Sequence, residues 1–169
     1  MGRVSHRLRD AGLKLRILSV GERLTRWQAD GFAEYAKRMP KHLGLKLEEI
    51  PPGQRGSSNV SADTAKAKES ERILSRLERT DAMIALDEAG QGFTTMELAQ
   101  RLTGWQQEGQ NIAFVIGGAD GLHADVLARA HSTWSLSRLT LPHGVARLLL
   151  MEQLYRAWTI TTNHPYHRA

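Results

Sequence analysis

The C-terminal tail carries a dense set of side chains that can exchange protons or bind anions. The stretch "ITTNHPYHRA" contains His164, Tyr166, His167 and Arg168, and Arg156 lies on the apolar segment just before it. A neutral histidine accepts a proton near pH 7, and an arginine binds a phosphate or another anion through several donors. These residue types predict acid–base chemistry or anion binding at the tail.

A metal site is not favoured there, although His164 and His167 are three residues apart. The chain contains no HExxH motif, and no carboxylate lies close to these histidines in sequence. It also contains no GxSxG motif and no cysteine, so nucleophilic catalysis by serine or cysteine has no support. We therefore predict that no metal takes part.

Three segments that end predicted strands are candidates for a ligand site. They are Leu86-Asp87-Glu88, Ile116–Gly121 and Leu136–Leu141. Open α/β sheets bind ligands at the carboxyl ends of their strands, where loops supply backbone groups. Asp87 and Glu88 are adjacent on a strand and point in opposite directions, which favours solvation or helix capping over a paired acid–base role.

The glycine cluster at Gly117, Gly118 and Gly121 matches no known phosphate-binding fingerprint. Its spacing differs from GxGxxG, and GxxxxGK[ST] is absent from the whole chain. Two interpretations stay open. The glycines either make a tight turn after a strand, or they let a flat ligand approach a backbone that has no Cβ atoms.

An alternation of strand-like and helix-like segments must position these residues. Short apolar runs bounded by glycine and proline alternate with amphipathic stretches, which predicts an α/β domain with a mostly parallel sheet and helices on both faces. The predicted strands are Lys14–Gly21, Leu45–Ile50, Ala82–Leu86, Ile112–Ile116 and Thr133–Leu141. The predicted helices are Arg26–Arg38, Ala62–Arg79, Thr94–Gln107, Ala124–Ala130 and Val145–Thr159.

The predicted helix Val145–Thr159 is apolar on more than one face, with Leu148, Leu149, Leu154 and Trp158 among its residues. Such a helix is either central to a large core or covered by another subunit. In a chain of 169 residues the second arrangement gains weight. We predict a symmetric homodimer with this helix at the contact.

Composition narrows the class of protein further. The formal net charge of +5 favours a polyanionic partner such as nucleic acid. The lack of cysteine fits a reducing cytoplasm, and no apolar run approaches the roughly 20 residues of a membrane span. Residues 1–13 are basic and have no apolar core, so they are not a secretory signal. We predict that they form a flexible extension, and the alternative is an arm that binds a polyanion. One domain would then span residues 14–169.

Several unusual segments, in order, carry a resemblance to a known family. They are LDEAG, FVIGGADG, WSLSRLTLPH, and EQLYRAW followed by ITTNHPYHR. From Lys14 to Arg168 the chain resembles the RlmH family, bacterial methyltransferases of the SPOUT superfamily that act on large-subunit ribosomal RNA. The resemblance implies an α/β fold whose C-terminal segment forms a trefoil knot, and a homodimer in which the tail of one subunit completes the site of the other.

The resemblance also implies a cofactor and the residues that bind it. The expected methyl donor is S-adenosyl-L-methionine, held in a bent form by the knot loops. The expected contacts are Leu86, Gly117, Leu136, Ser137, Arg138, Leu139, Thr140 and Leu141, which lie at the three strand ends selected above. Leu86 and the run from Leu136 would line the adenine, and Gly117 would leave space beside it.

The implied reaction is methylation of N3 of a pseudouridine in helix 69 of 23S rRNA, within assembled ribosomes. We expect Tyr166 to orient the base and His167 to accept its proton. Arg156 and Arg168 would hold phosphate or the base anion, and His143 is a second candidate base. The alternative is that the tail residues only bind RNA, while water accepts the proton.

Two other functions remain as rivals. A non-catalytic RNA-binding or ribosome-assembly protein on the same fold would fail to bind S-adenosylmethionine. A nicotinamide-dependent oxidoreductase is suggested by the strand–helix alternation and the glycines, but its dinucleotide fingerprint is missing.

Overall fold

A single parallel sheet organises the chain. The computed structural model describes residues 13–21, 23–56 and 59–168. The strands are β1 (Leu15–Val20), β2 (Lys46–Ile50), β3 (Asp81–Gly92), β4 (Asn111–Ile116) and β5 (Ser132–Ser135), in the order β2-β1-β4-β3-β5. The helices are α1 (Arg26–Ala36), α2 (Ala62–Arg76), α3 (Thr95–Glu108), α4 (Ala124–Arg129) and α5 (His143–Thr161), and two 3₁₀ turns span Lys41–Leu43 and Pro165–Arg168. The predicted α/β class is confirmed.

Successive side chains of each strand point to opposite sides of the sheet, and helices cover both of these faces. Ile17 of β1 and Phe114 of β4 belong to one core cluster, together with residues of α1, α3 and α5. Leu18 and Val115, their neighbours in the chain, belong to a second cluster with residues of α2 and α4. All the strands are parallel, with Leu15 paired to Ile112 and Ile84 to Phe114. Their carboxyl ends therefore lie at one edge of the sheet.

The predicted fifth strand, Thr133–Leu141, is wrong over its second half. β5 ends at Ser135, and residues 136–142 form a loop that leads into α5. The strand pairs with β3 alone, at the edge of the sheet, so no second neighbour extends the ladder. The segment expected to bind a ligand is consequently a loop rather than a strand.

The third strand is longer than predicted. Its pairing with β5 is interrupted after Leu86 and resumes at Gln91, with a shift in register. A Cβ atom at Gly90 would lie 2.5 Å from the carbonyl carbon of Trp134, so this crossing depends on glycine. The residues Asp87–Gly90 do not end the strand; they form an irregular part of it.

At the N-terminus, residues 1–12 of the predicted extension lie outside the described residues. Leu13, assigned to the extension from the sequence, is instead buried in the core. No helix of the described chain is long and apolar enough to cross a membrane.

Helix α5 packs between α1 and α3 and exceeds its predicted bounds by two residues at each end. A Cβ atom at Gly144 would lie 2.5 Å from Oε1 of Gln28, so the first turns of α5 and α1 are in close contact. The trefoil knot stays a prediction.

Candidate functional site

The three predicted strand ends meet around one cavity of about 550 Å³. Seven of the eight residues expected to bind the donor line it: Leu86, Gly117, Leu136, Ser137, Leu139, Thr140 and Leu141. His143 and Ala146 of α5 also line this strand-end cavity. The parallel sheet explains the convergence, since β3, β4 and β5 are adjacent and their carboxyl ends share one edge.

The glycine cluster makes a tight turn on one side of the cavity. The amide of Gly121 donates to the carbonyl of Gly118 at 3.1 Å. Gly121 has a φ of +78°, and a Cβ atom at Gly117 would lie 2.6 Å from the carbonyl carbon of Gly121. The turn thus requires glycine for its own geometry. Because all three glycines also line the cavity, the second interpretation, close approach of a ligand to the backbone, stays open.

The loop after β5 forms the opposite wall and is shaped by two serines. Ser135 Oγ donates to the carbonyl of Ser137 at 2.8 Å, and the amide of Leu139 donates to Ser137 Oγ at 2.9 Å. This local bonding satisfies backbone groups that a strand partner would otherwise bind. Arg138, the eighth predicted residue, is exposed and does not line the cavity.

The ionisable lining of the cavity is mostly acidic. Asp87, Glu88 and Asp120 contribute carboxylates, and no lysine or arginine is among the lining residues of the described chain. Asp87 Oδ1 accepts the amide of Ala89 at 2.9 Å, which caps the local turn. This bond lies within β3, so it is not the helix cap expected for Asp87, and the side chain lies on the cavity wall. The lining suits a cationic ligand better than a phosphate.

His143 reaches the cavity from the first turn of α5, and Arg147 lies one turn further along the same helix. A Cβ atom at Gly21 would lie 2.8 Å from His143 Nε2 and 3.3 Å from Arg147 Nη2, so both side chains converge over Gly21. Arg147 is fully buried and donates from Nε to Ser19 Oγ at 2.5 Å. Desolvation by burial lowers the pKa of its guanidinium, against the attraction of Glu49. Arg147 was not predicted as a site residue, although it is a charged residue one helical turn from His143.

The tail residues form a separate cluster on the other half of α5. The Tyr166 hydroxyl donates to Glu152 Oε1 at 3.0 Å, and its ring lies 4.7 Å from that of Tyr155, in an edge arrangement. Arg156 donates from Nε to the same Glu152 oxygen at 2.9 Å, and its Cζ atom lies 5.0 Å from the Tyr166 ring centroid. Burial, followed by hydrogen bonds to Tyr35 and Glu152, raises the pKa of Tyr166 above its usual range.

His167 and Arg168 complete the tail. Nδ1 of His167 is buried and has no hydrogen-bond partner within residues 13–21, 23–56 and 59–168. Arg168 is exposed and donates from Nη2 to Asn163 Oδ1 at 3.1 Å. Neither residue lines the strand-end cavity of its own chain.

Distance along α5 separates the two sets of predicted catalytic residues. Arg156 follows His143 by thirteen residues on α5, and at about 1.5 Å per residue this is roughly 20 Å. Of the predicted catalytic residues, His143 lines the cavity, whereas Arg156, Tyr166, His167 and Arg168 do not. A single chain therefore does not bring them together.

No group of three or more histidine, aspartate or glutamate side chains in the described ranges has an arrangement that could hold a metal ion. The site chemistry of these residues consists of a cavity with carboxylates and one histidine, and a remote cluster with a tyrosine, a histidine and two arginines.

Comparison with known proteins identifies the family. Residues 13–167 match the family model described as "Predicted SPOUT methyltransferase". The chain is 55% identical over 156 residues to the ribosomal RNA large subunit methyltransferase H of Paraburkholderia phymatum, covering 92% of this chain and 99% of the relative. It is 54% identical to the protein of the same name from Ralstonia nicotianae, with the same coverage of each.

Solved structures with lower identity share the fold. A probable methyltransferase from Bordetella pertussis Tohama I matches with a TM-score of 0.54 and 18% identity, over 87% of this chain and 95% of that one. A probable methylase family protein from Haemophilus influenzae Rd KW20 matches with a TM-score of 0.52 and 16% identity, over 92% and 70%. The family model and the close relatives show that the chain belongs to the RlmH family of SPOUT methyltransferases and is itself a methyltransferase.

Proposed function

We propose that this methyltransferase transfers a methyl group from S-adenosyl-L-methionine to N3 of a pseudouridine in helix 69 of 23S rRNA, in the assembled ribosome. The observation that carries the proposal is the single cavity formed by three strand ends, lined by seven of the eight residues expected to bind the donor. The names of the close relatives support ribosomal RNA of the large subunit as the substrate.

The residues of the cavity fit this donor. A volume of about 550 Å³ lies within the range of roughly 300–1,000 Å³ typical of small-molecule sites. Leu86, Leu136 and Leu141 supply an apolar wall for an adenine ring. The carboxylates of Asp87 and Glu88 attract the positive charges of a sulfonium and an ammonium group. When bound, the donor supplies an activated methyl group for in-line displacement.

The protein's contribution is alignment, which can supply roughly 7–11 kcal/mol of the barrier. The glycine turn at 117–121 and the loop at 136–141 enclose two sides of the cavity, so they limit the orientations available to its contents. The N3 atom of a pseudouridine carries a proton that must leave as the new bond forms. A neutral histidine accepts it, and an arginine stabilises the imide anion between the two ring carbonyls.

Two histidines are candidates for the proton acceptor, and they differ in position. His143 lies in the cavity of its own chain, whereas His167 lies with the tail cluster. Because roughly 20 Å of helix separates the cavity from Arg156, the tail residues reach a cavity only if it belongs to another chain. We propose a homodimer in which Tyr166, His167 and Arg168 of one subunit complete the cavity of the other.

A dimer contact along α5 is consistent with the exposure of this helix. Its hydrophobic residues Leu148, Leu149, Trp158 and Ile160 are only partly buried within one chain. The helix contacts α1 and α3 within the chain, and these four side chains keep part of their surface exposed beside those contacts. Sedimentation at micromolar concentration should give a dimer; a monomer would oppose the shared site.

The rRNA phosphates must bind outside the cavity, because its lining is acidic. We assign this role to Arg156 and Arg168, and to Arg138, which is exposed beside the cavity instead of lining it. The net charge of +5 favours this association over long range. We place the reaction in the cytoplasm and in a single domain that begins at Leu13.

The test uses 50S and 70S ribosomes from cells lacking the enzyme. They are incubated with the purified protein and S-adenosylmethionine carrying a labelled methyl group, and the 23S rRNA is mapped by mass spectrometry. We expect one methyl group at a pseudouridine of helix 69 in 70S ribosomes. Label at another nucleotide contradicts the assigned substrate, and calorimetry that detects no binding of S-adenosylmethionine contradicts the assigned methyl donor.

A further inference from the structure

A charged bridge behind the glycine turn links two loops that are distant in sequence. Arg55 lies on the loop between β2 and α2, and its Nε donates to Asp120 Oδ2 at 2.7 Å. Its Nη1 donates to Glu69 Oε1 of α2 at 2.5 Å. One guanidinium thus joins the carboxylate of a cavity-lining residue to the carboxylate of a helix on the back of the sheet.

The inner end of this bridge is firmly fixed. Glu69 is 2% exposed, and its Oε1 also accepts the amide of Gly53 at 2.9 Å. A Cβ atom at Gly53 would lie 2.3 Å from the carbonyl oxygen of Ala65, so the loop lies directly on the backbone of α2. Among the described residues, Arg55 is the one cation paired with this buried carboxylate.

The bridge meets the glycine turn at two points, one at each carboxylate. Asp120 belongs to the turn and lines the cavity. A Cβ atom at Gly118 would lie 3.5 Å from Glu69 Oε1, so the Glu69 carboxylate lies directly behind the turn. The hydrogen bonds to Glu69 and then to Asp120 raise the pKa of the Arg55 guanidinium above its usual value, so it remains a cation at every working pH.

We propose that Arg55 is a positioning residue for the donor site: by bridging Glu69 and Asp120 it holds the turn 117–121 in the conformation that binds S-adenosylmethionine. The inference rests on the proposed function for the identity of the donor. Arg55 acts through Asp120 and does not itself line the cavity. Its contribution appears in donor affinity, while the methyl-transfer step and the affinity for ribosomes are left unchanged.

This role needs the guanidinium group of an arginine, because two of its nitrogens donate to two carboxylates at the same time. A lysine supplies one compact charge. It still neutralises the buried Glu69 but does not reach both carboxylates. Arg55→Lys therefore removes the bridge without leaving an unpaired buried charge, whereas Arg55→Ala would destabilise the fold.

The matched control is Arg72→Lys. Arg72 also tethers the loop after β2, since its Nη1 donates to the carbonyls of Pro51 and Pro52 at 2.7 and 2.8 Å. Neither of these two bonds involves the glycine turn. A general loosening of the loop would affect both variants, whereas loss of the bridge affects Arg55→Lys alone.

Calorimetric titration with S-adenosylmethionine measures the first effect. We expect Arg55→Lys to raise the dissociation constant roughly tenfold, as for loss of one charge-assisted hydrogen bond. The kcat at saturating donor, the KM for ribosomes and the Tm should stay close to those of the parent and of Arg72→Lys. Equal weakening in the two variants, or a change confined to the KM for ribosomes, overturns the proposal.

A double-mutant cycle with Asp120→Ala tests whether Arg55 acts through Asp120. If it does, Arg55→Lys has no further effect on donor affinity in the Asp120→Ala background. Two independent contributions would instead multiply to roughly a hundredfold loss, and that result contradicts the positioning role.

Hydrogen exchange of the unliganded protein gives a readout that does not depend on any donor. The amide of Gly121 is hydrogen-bonded to Gly118 and should exchange faster in Arg55→Lys but not in Arg72→Lys. Unchanged exchange at this amide refutes the bridge. If the parent protein binds no S-adenosylmethionine, the proposed function fails, while this measurement still decides the role of Arg55.

Discussion

Complementation between two inactive chains tests the shared site directly. One chain carries Thr140→Trp, which places an indole in the cavity from an exposed loop position. The other lacks residues 166–169 and so loses three of the predicted catalytic side chains. Each homodimer has two defective sites and should be inactive, because every cavity is either blocked or without a tail.

The heterodimer should recover about half of the parent activity. One of its sites combines the blocked cavity with the truncated tail, and the other combines an intact cavity with an intact tail. The expectation follows from the roughly 20 Å of helix between His143 and Arg156, which prevents a chain from serving itself. A site built within one chain would give no recovery at all.

The assay needs pure heterodimers. Co-expression with two different affinity tags and tandem purification supplies them, and methyl transfer to ribosomes is measured per dimer. Calorimetry should show one S-adenosylmethionine site per heterodimer and none in the Thr140→Trp homodimer. Activity below about 2% of the parent, in heterodimers that bind one donor and keep their Tm, would refute the shared site.

Three further substitutions test single features of the structure. Tyr166→Phe removes the hydroxyl that donates to Glu152 and should lower kcat roughly tenfold without changing the dissociation constant of S-adenosylmethionine; an unchanged kcat would contradict the role of Tyr166 in orienting the base. Gly90→Ala should lower the Tm by at least about 5 °C, since its Cβ atom would lie 2.5 Å from the Trp134 backbone, whereas Gly92→Ala, with nothing within 4 Å, is the control. Thr94→Ala removes the side chain that accepts the Glu97 amide at 3.2 Å and should cost about 1 kcal/mol, or roughly 3 °C in Tm; Thr94→Ser should retain the cap, and an equal loss in both would contradict this reading.

The sequence was sufficient for the buried central strands and for the choice of the segments that form the cavity wall. Buried apolar runs such as Ile112–Ile116 are distinctive of strands covered on both faces, and parallel strands must bring their carboxyl ends together. The three segments that enclose the cavity therefore follow from the strand pattern of the sequence. The separation of Arg156 from His143 was also accessible, because helix rise converts residue number into distance.

Other features depend on tertiary contacts that no local pattern encodes. Residues 136–141 alternate like a strand, yet β5 has a partner on one side only and its ladder ends at Ser135. Serine side chains then bind the backbone of the loop, which turns Arg138 outward. The bridge from Arg55 to Asp120 joins residues 65 apart in sequence, and the pairing became visible only in the folded chain.

The acidic lining of the cavity has a consequence for turnover. With S-adenosylmethionine as the proposed donor, transfer of a methyl group would remove the charge on sulfur, so the thioether product would carry one positive charge fewer than the donor. The carboxylates of Asp87 and Glu88 attract the thioether product less strongly than the sulfonium donor. This difference assists replacement of the product by a new donor molecule after each cycle. Added salt screens the carboxylates and should reduce the difference in affinity between donor and product. Inhibition by the product, relative to the affinity for the donor, is therefore expected to increase as ionic strength rises.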